Sequence, residues 1–145
     1  MRIEIIAAGR LKKGPFADLR DEYLKRMVWP VSITEIEGKN ASEEHDRLLE
    51  KIRAGSVLIA LDERGKVLGS RDFAARLSSF SEQGITDIQF MIGGADGLND
   101  KIRQRARFLL AFGPQTWPHM MVRVMLLEQL YRAQQITAGH PYHRD

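Results

Sequence analysis

The chain has 145 residues, 43% hydrophobic and 28% charged, with a net charge of +3 and no cysteine. That length suits one domain, 1–145, with a core of its own, and the lack of cysteine excludes disulfides, thiolate metal sites and cysteine nucleophiles. No apolar run approaches the roughly 18 residues of a membrane span, and the first apolar stretch is broken by Glu4, unlike a signal peptide; a cytoplasmic protein with no membrane partner is expected.

RIEIIAA (2–8) is β-branched and apolar and predicts a first strand. GPFADLRDEYLKRM (14–27) predicts a helix: Pro15 sits near its start, and Phe16, Leu19, Tyr23 and Met27 share one face. VSITEIE (31–37) alternates like a strand with one wet face. NASEEHDRLLEKIRAG (40–55) predicts a polar helix with Ser42 as N-cap, His45 exposed, acids in its first turn and Gly55 as its stop. SVLIALD (56–62) is a continuous apolar strand, as in the middle of a parallel sheet.

SRDFAARLSSFSEQG (70–84) predicts a helix and DIQFMIGG (87–94) a strand. LNDKIRQRARFLLAFG (98–113) begins as a helix, while its FLLAFG end reads equally as a short strand. PHMMVRVMLLEQLYRAQQI (118–136) predicts a long helix with Pro118 in its first turn. Strands and helices alternate throughout, which defines an α/β fold with a mostly parallel sheet flanked by helices. Such folds bind ligands beyond the carboxyl ends of their strands. The informative loops are therefore DERGK (62–66), GGADG (93–97), GPQTW (113–117) and the tail.

IGGADG (92–97) lets backbone approach a ligand closely, but its G-G-x-x-G spacing matches neither the dinucleotide fingerprint nor the P-loop. A tight strand-to-helix turn explains it equally well. Asp62 and Glu63 either hold a ribose or base, or satisfy loop amides. Within 120–130, eight of eleven residues are apolar, more than one buried stripe needs. The chain's own sheet covers one side of this helix; a second copy of the chain, forming a homodimer, would cover the other. Arg123, inside that stretch, requires a partner, and Glu128 and Arg132 form an i, i+4 pair.

Residues 101–145 carry seven Lys and Arg against two acids, which fits an anionic partner such as nucleic acid or a phosphorylated ligand, and equally a solvated helix face. His119, His140 and His143 lack the short ligand spacing of a zinc site, so no metal is expected. Neither a G-x-S-x-G nor a Ser-His-Asp order is present.

Several motifs together carry a resemblance: LDERGK, IGGADG, TWPHMMVRVMLLEQLYRAQQI and the terminal HPYHR. The most specific are H-x-x-x-R, E-Q-x-Y-R-A and P-Y-H-R in the last thirty residues. The chain resembles, nearly end to end, the SPOUT-class bacterial methyltransferases that modify N3 of a pseudouridine in 23S ribosomal RNA.

The resemblance implies a C-terminal trefoil knot, a homodimer, 23S rRNA within the ribosome as substrate, and S-adenosylmethionine as cofactor. It places cofactor contacts at Leu61, Gly93, Gly94, Phe112, Gly113, Pro114, Gln115, Thr116 and Trp117. Where family members often have leucine before Pro-His, this chain has Trp117. His119, Tyr142, His143 and Arg144 are the candidates for chemistry and for holding RNA, and the tail of one subunit is expected to complete the other's site. A non-catalytic RNA-binding module and a small nucleotide-binding regulator are the competing readings. S-adenosylmethionine binding separates them.

Overall fold

The computed structural model describes all 145 residues. Five strands form one wholly parallel sheet: β1 (Arg2–Ala8), β2 (Val31–Ile36), β3 (Val57–Val67), β4 (Asp87–Ile92) and β5 (Phe108–Ala111). Their spatial order is β2-β1-β4-β3-β5. The helices are α1 (Pro15–Arg26), α2 (Ala41–Glu50), α3 (Ser70–Glu82), α4 (Asp100–Arg105) and α5 (His119–Thr137).

The period of two along each strand divides the apolar residues between two layers. Ile3, Ile5, Val57, Ile59, Ile88 and Phe90 face α3 and α5, with Tyr23 and Leu24 of α1 packed at the margin. Ile6, Ala8, Leu58, Ala60 and Met91 face Leu48 of α2 and Ile102 of α4. Both faces being covered explains why the central strands read as unbroken apolar runs.

α2 is capped two residues earlier in the sequence than Ser42 suggests. Asn40 holds the cap, its side chain accepting from the Glu43 N–H at 2.9 Å, because an Asx residue in extended backbone reaches the third amide on. Pro118 is the N-cap of α5, one position before its first turn, and gives no side-chain cap. FLLAFG resolves as β5 because it finds an open edge on β3.

DERGK is not simply a loop. β3 resumes after it, and both Leu61 and Lys66 pair with Leu110, leaving a bulge between them. Gly65 is required here: a Cβ would stand 2.5 Å from the Leu109 carbonyl carbon. Non-local pairing with β5 thus extends a strand that local turn chemistry would end.

The amino ends of β1 and β4, away from the cleft described below, are fastened by a polar cluster. The fully buried Gln89 amide accepts from Arg53 N–H and the Ser56 hydroxyl and donates to Glu4 and to the Lys51 carbonyl, at 2.7–2.9 Å. Every hydrogen-bonding position of that amide is filled. Arg53 also binds Asp87 and Glu4. Arg53 holds Asp87 down at about 2, against the cost of its burial, with help from Arg2. Burial works against ionising Glu4, but hydrogen bonds from Thr34, Gln89 and Arg53 prevail and keep its pKa low.

Candidate active site

Three loops leave the carboxyl ends of β3, β4 and β5 and converge. The first carries the β3 bulge. Asp62 accepts from the Arg64 N–H at 2.9 Å and from Arg103 at 3.2 Å. Arg103 also binds the Leu98 carbonyl and Asp100. Asp62 therefore organises its own loop and ties it to α4, which realises the loop-amide alternative.

The second loop is IGGADG. Gly93 is buried, and a Cβ there would lie 2.6 Å from the Gly97 carbonyl oxygen. The Gly97 N–H returns to the Gly94 carbonyl at 3.0 Å, and Gly97 itself takes φ 70°. α2 braces this turn from behind. Glu44 accepts from the Gly94 N–H at 3.3 Å, and a ring nitrogen of His45 lies 2.9 Å from the Gly97 carbonyl oxygen. His45 is thus half-buried against the glycine loop rather than merely exposed. Its partner lies 52 positions away.

The third loop, 112–118, closes on itself. The Trp117 indole N–H donates to the Phe112 carbonyl at 2.9 Å. The Thr116 hydroxyl donates to Glu63 at 2.9 Å, linking this loop to the first. α5 begins next, with an uncapped N-terminus.

Between these loops lies a cleft of about 840 Å³, within the range of small-molecule sites. Leu61, Gly93, Gly94, Phe112, Gly113, Gln115, Thr116 and Trp117 all line it, as does His119. Pro114 does not; it is exposed within the loop. Asp62, Glu63 and Asp96 of the loops read from the sequence also line it, and Leu98, Arg103 and Val122 join the wall without having been singled out there.

The tail lies elsewhere. The Tyr142 hydroxyl donates to Glu128 at 3.3 Å, its ring meets Tyr131 edge-on at 4.9 Å, and the Arg132 guanidinium stands 4.8 Å over it. Burial, then the Glu128 charge, raises the Tyr142 pKa, so its hydroxyl stays a donor. His143 approaches Arg132 at 3.1 Å, and Asp145 binds Arg71 at 2.6 Å. Arg144 is exposed. Arg132 follows His119 by thirteen helical residues, roughly 20 Å at 1.5 Å per residue. One chain therefore does not bring Tyr142, His143 and Arg144 to the cleft that His119 lines.

The basic C-terminal third is less available than its charge suggests. Arg103 serves Asp62 and Asp100, Arg132 binds Glu128 as expected, and Arg123 is fully buried. Arg123 donates to Glu35 at 2.7 Å and to the Ala8 and Gly9 carbonyls at 3.1 and 3.0 Å. Burial lowers its pKa despite the Glu35 charge. No group of three or more His, Asp or Glu side chains gathers to hold a metal, and no helix is long and apolar enough to cross a membrane.

A parallel sheet covered on both faces, with glycine-bearing loops meeting at its carboxyl ends, defines an α/β protein of the class whose ligand sites lie at those ends. Residues 1–143 match the family described as "Predicted SPOUT methyltransferase", and the chain belongs to that family. It is 53% identical over 151 aligned residues to Ribosomal RNA large subunit methyltransferase H of Rhodospirillum centenum, covering 99% of each chain. The protein of that name from Rhizorhabdus wittichii is 46% identical over 145, covering 100% of this chain and 99% of its own. Among solved structures, a probable methylase family protein from Haemophilus influenzae Rd KW20 shares the fold, with TM-score 0.61 and 10% identity, over 99% of this chain and 70% of that one.

Proposed function

We propose that this chain, a single SPOUT methyltransferase domain, transfers a methyl group from S-adenosylmethionine to N3 of a pseudouridine in the 23S RNA of the large ribosomal subunit. The observation that carries this is the convergence of three loops and His119 on one cleft, in a chain half identical to relatives named for ribosomal RNA methylation.

The cleft fits the cofactor. Its volume is adequate, its glycine loops present backbone groups without intervening side chains, and Asp96 and Glu63 on the wall complement a cation. Leu61, Gly93, Gly94 and the 112–117 loop, Phe112, Gly113, Pro114, Gln115, Thr116 and Trp117, would hold it. When bound, it supplies an electrophilic methyl on a positively charged sulfur.

The chain's own groups then position the nucleophile and handle its proton. His119 stands at the cleft wall, placed to accept the proton leaving N3. The N-terminus of α5 has no side-chain cap. Its unpaired amides and positive dipole end favour the negative charge that develops on the base.

The tail reaches a second copy's cleft in this account. Tyr142 would stack on the displaced base, and His143 and Arg144 would hold it and its phosphate. A homodimer is supported by the incompletely covered side of α5. There Leu19, Tyr23, Leu68, Phe112, Val124 and Met125 line a second, largely apolar groove, with Leu19 44% exposed. The trefoil threading of the C-terminal segment and a cytoplasmic location follow from the family resemblance and the ribosomal substrate.

A calorimetric titration with S-adenosylmethionine tests the cofactor assignment. Saturable one-per-chain binding, weakened by Gly93→Ala, supports it. No heat of binding from folded protein refutes it.

A further inference from the structure

The loop between β1 and α1, residues 9–14, belongs to none of the roles assigned above. It reads GRLKKG, and the chain carries no acid from residue 5 to residue 17. Arg10, Lys12 and Lys13 are exposed. The only acid paired with them is Glu37, 4.0 Å from Arg10 with both side chains largely in solvent, too loose to neutralise the loop; Glu35, which also reaches the loop, is engaged by Arg123. Three uncompensated cations within four positions are denser than anything left free in the C-terminal third.

The loop is also held in place. Arg123, wholly buried in an otherwise apolar stretch of α5, clamps the Ala8 and Gly9 carbonyls. Its partner Glu35 accepts the Leu11 N–H at 2.6 Å, and the Gly9 N–H reaches the Ile36 carbonyl at 2.7 Å. Leu11 is buried, which leaves its neighbours pointing outward. A buried arginine is costly, and its Nε has no partner here. That cost is understandable if the geometry of this loop matters to function.

The loop abuts the catalytic end of α5. Gly9 sits at φ 88°, and a Cβ on it would lie 3.1 Å from the Met120 methyl and 3.8 Å from the His119 Nε2. The cations are thus presented beside the one helix start that lines the cleft.

We propose that the β1–α1 loop is a preformed grip for the phosphate backbone of the RNA strand whose base enters the cleft, with Arg10, Lys12 and Lys13 as the contacts and Arg123 and Glu35 as positioning residues. The choice of RNA rests on the methyl-transfer role proposed above. Long, flexible lysines and an arginine on a fixed backbone suit repeated anionic groups without reading bases.

The test uses full-length Arg10→Gln/Lys12→Gln/Lys13→Gln beside wild type. A control, Lys25→Gln/Lys51→Gln, removes exposed charges at the opposite end of the sheet. Binding to ribosomes lacking the modification is measured directly without cofactor, across a salt series, and steady-state transfer is measured in parallel. The triple variant is expected to bind ribosomes at least tenfold more weakly. Its slope of log affinity against log salt should shrink by about 2, for three lost contacts to single-stranded phosphate. The defect in transfer should lie mainly in KM, S-adenosylmethionine affinity should be unchanged, and the control should stay within twofold of wild type. Wild-type ribosome affinity and salt slope in the triple variant overturn the proposal, as does an equal loss in the control. A wild-type chain that binds ribosomes but transfers no methyl counts against the cleft assignment alone, since the binding comparison still decides the loop.

Discussion

Trp117 closes the loop in which it sits: its indole N–H donates to the Phe112 carbonyl at 2.9 Å, so the two ends of the 112–117 segment are tied by one side chain. The ring remains 37% exposed at the cleft wall. A hydrogen-bonded latch thus closes this loop where an aliphatic side chain would supply only apolar packing. Trp117→Phe keeps the aromatic surface and removes the bond, which is worth about 1 kcal/mol. S-adenosylmethionine affinity should fall roughly threefold to tenfold. Calorimetric titration of wild type and Trp117→Phe with S-adenosylmethionine checks this, and Trp29→Phe, which replaces the only other tryptophan, should bind normally.

Gly93→Ala places a methyl group where only 2.6 Å separates it from the Gly97 carbonyl oxygen. The obstacle is backbone, so the glycine turn itself must shift. Cofactor affinity should drop at least about tenfold through lost positioning of loop backbone. Gly55→Ala is unsuitable as a control because its φ of 83° is itself strained for a side chain. Gly69→Ala, with open space around it and no positive φ, should bind normally in the same titration.

His119→Ala should lower kcat by about 10²-fold or more while leaving cofactor affinity within a few-fold. Deleting residues 140–145 should abolish transfer to ribosomes and leave cofactor binding largely intact. Each chain alone is then inactive. Mixing the two should restore about a quarter of wild-type activity if subunits exchange at random, because the intact His119 of one meets the intact tail of the other. No recovery after verified subunit exchange would mean that the tail acts within its own chain.

Asp87 links stability to acid. Its carboxyl titrates at about 2 in the fold, against 3.8 ordinarily, chiefly through Arg53. Because the folded value is the lower one, the stabilisation is complete above about pH 4 and is lost as pH falls from 3.8 toward 2. Allowing for partial exposure, this is about 1–2 kcal/mol. Urea melts between pH 6 and pH 2.5 should show a steeper acid loss for wild type than for Asp87→Asn, which is already destabilised at neutral pH.

The alternation of RIEIIAA, SVLIALD and DIQFMIGG with amphipathic stretches made the parallel α/β architecture legible, because each element is decided by its own period. The features that escaped sequence reasoning depend on partners far along the chain. β3 runs on past DERGK only because β5 supplies an edge. His45 looked like a solvated histidine because the Gly97 carbonyl it meets lies 52 residues later. Arg123 advertised its need for a partner, yet nothing local pointed to Glu35, 88 residues away. The residues that the family resemblance names for a cofactor come together as a set, and all but Pro114 line one cleft. The tail was legible as chemistry but not as a place, since Tyr142 docks on Glu128 and Arg132 rather than beside His119.

The most direct test of the whole account is methyl transfer itself. Purified protein, labelled S-adenosylmethionine and ribosomes lacking the modification are combined, and the product RNA is digested and mapped by mass spectrometry. One methyl group on N3 of a single pseudouridine in 23S RNA, formed about a hundredfold more slowly or worse with His119→Ala, is the expected result. Label on another atom, on another RNA, or on none while the protein binds the cofactor would contradict it.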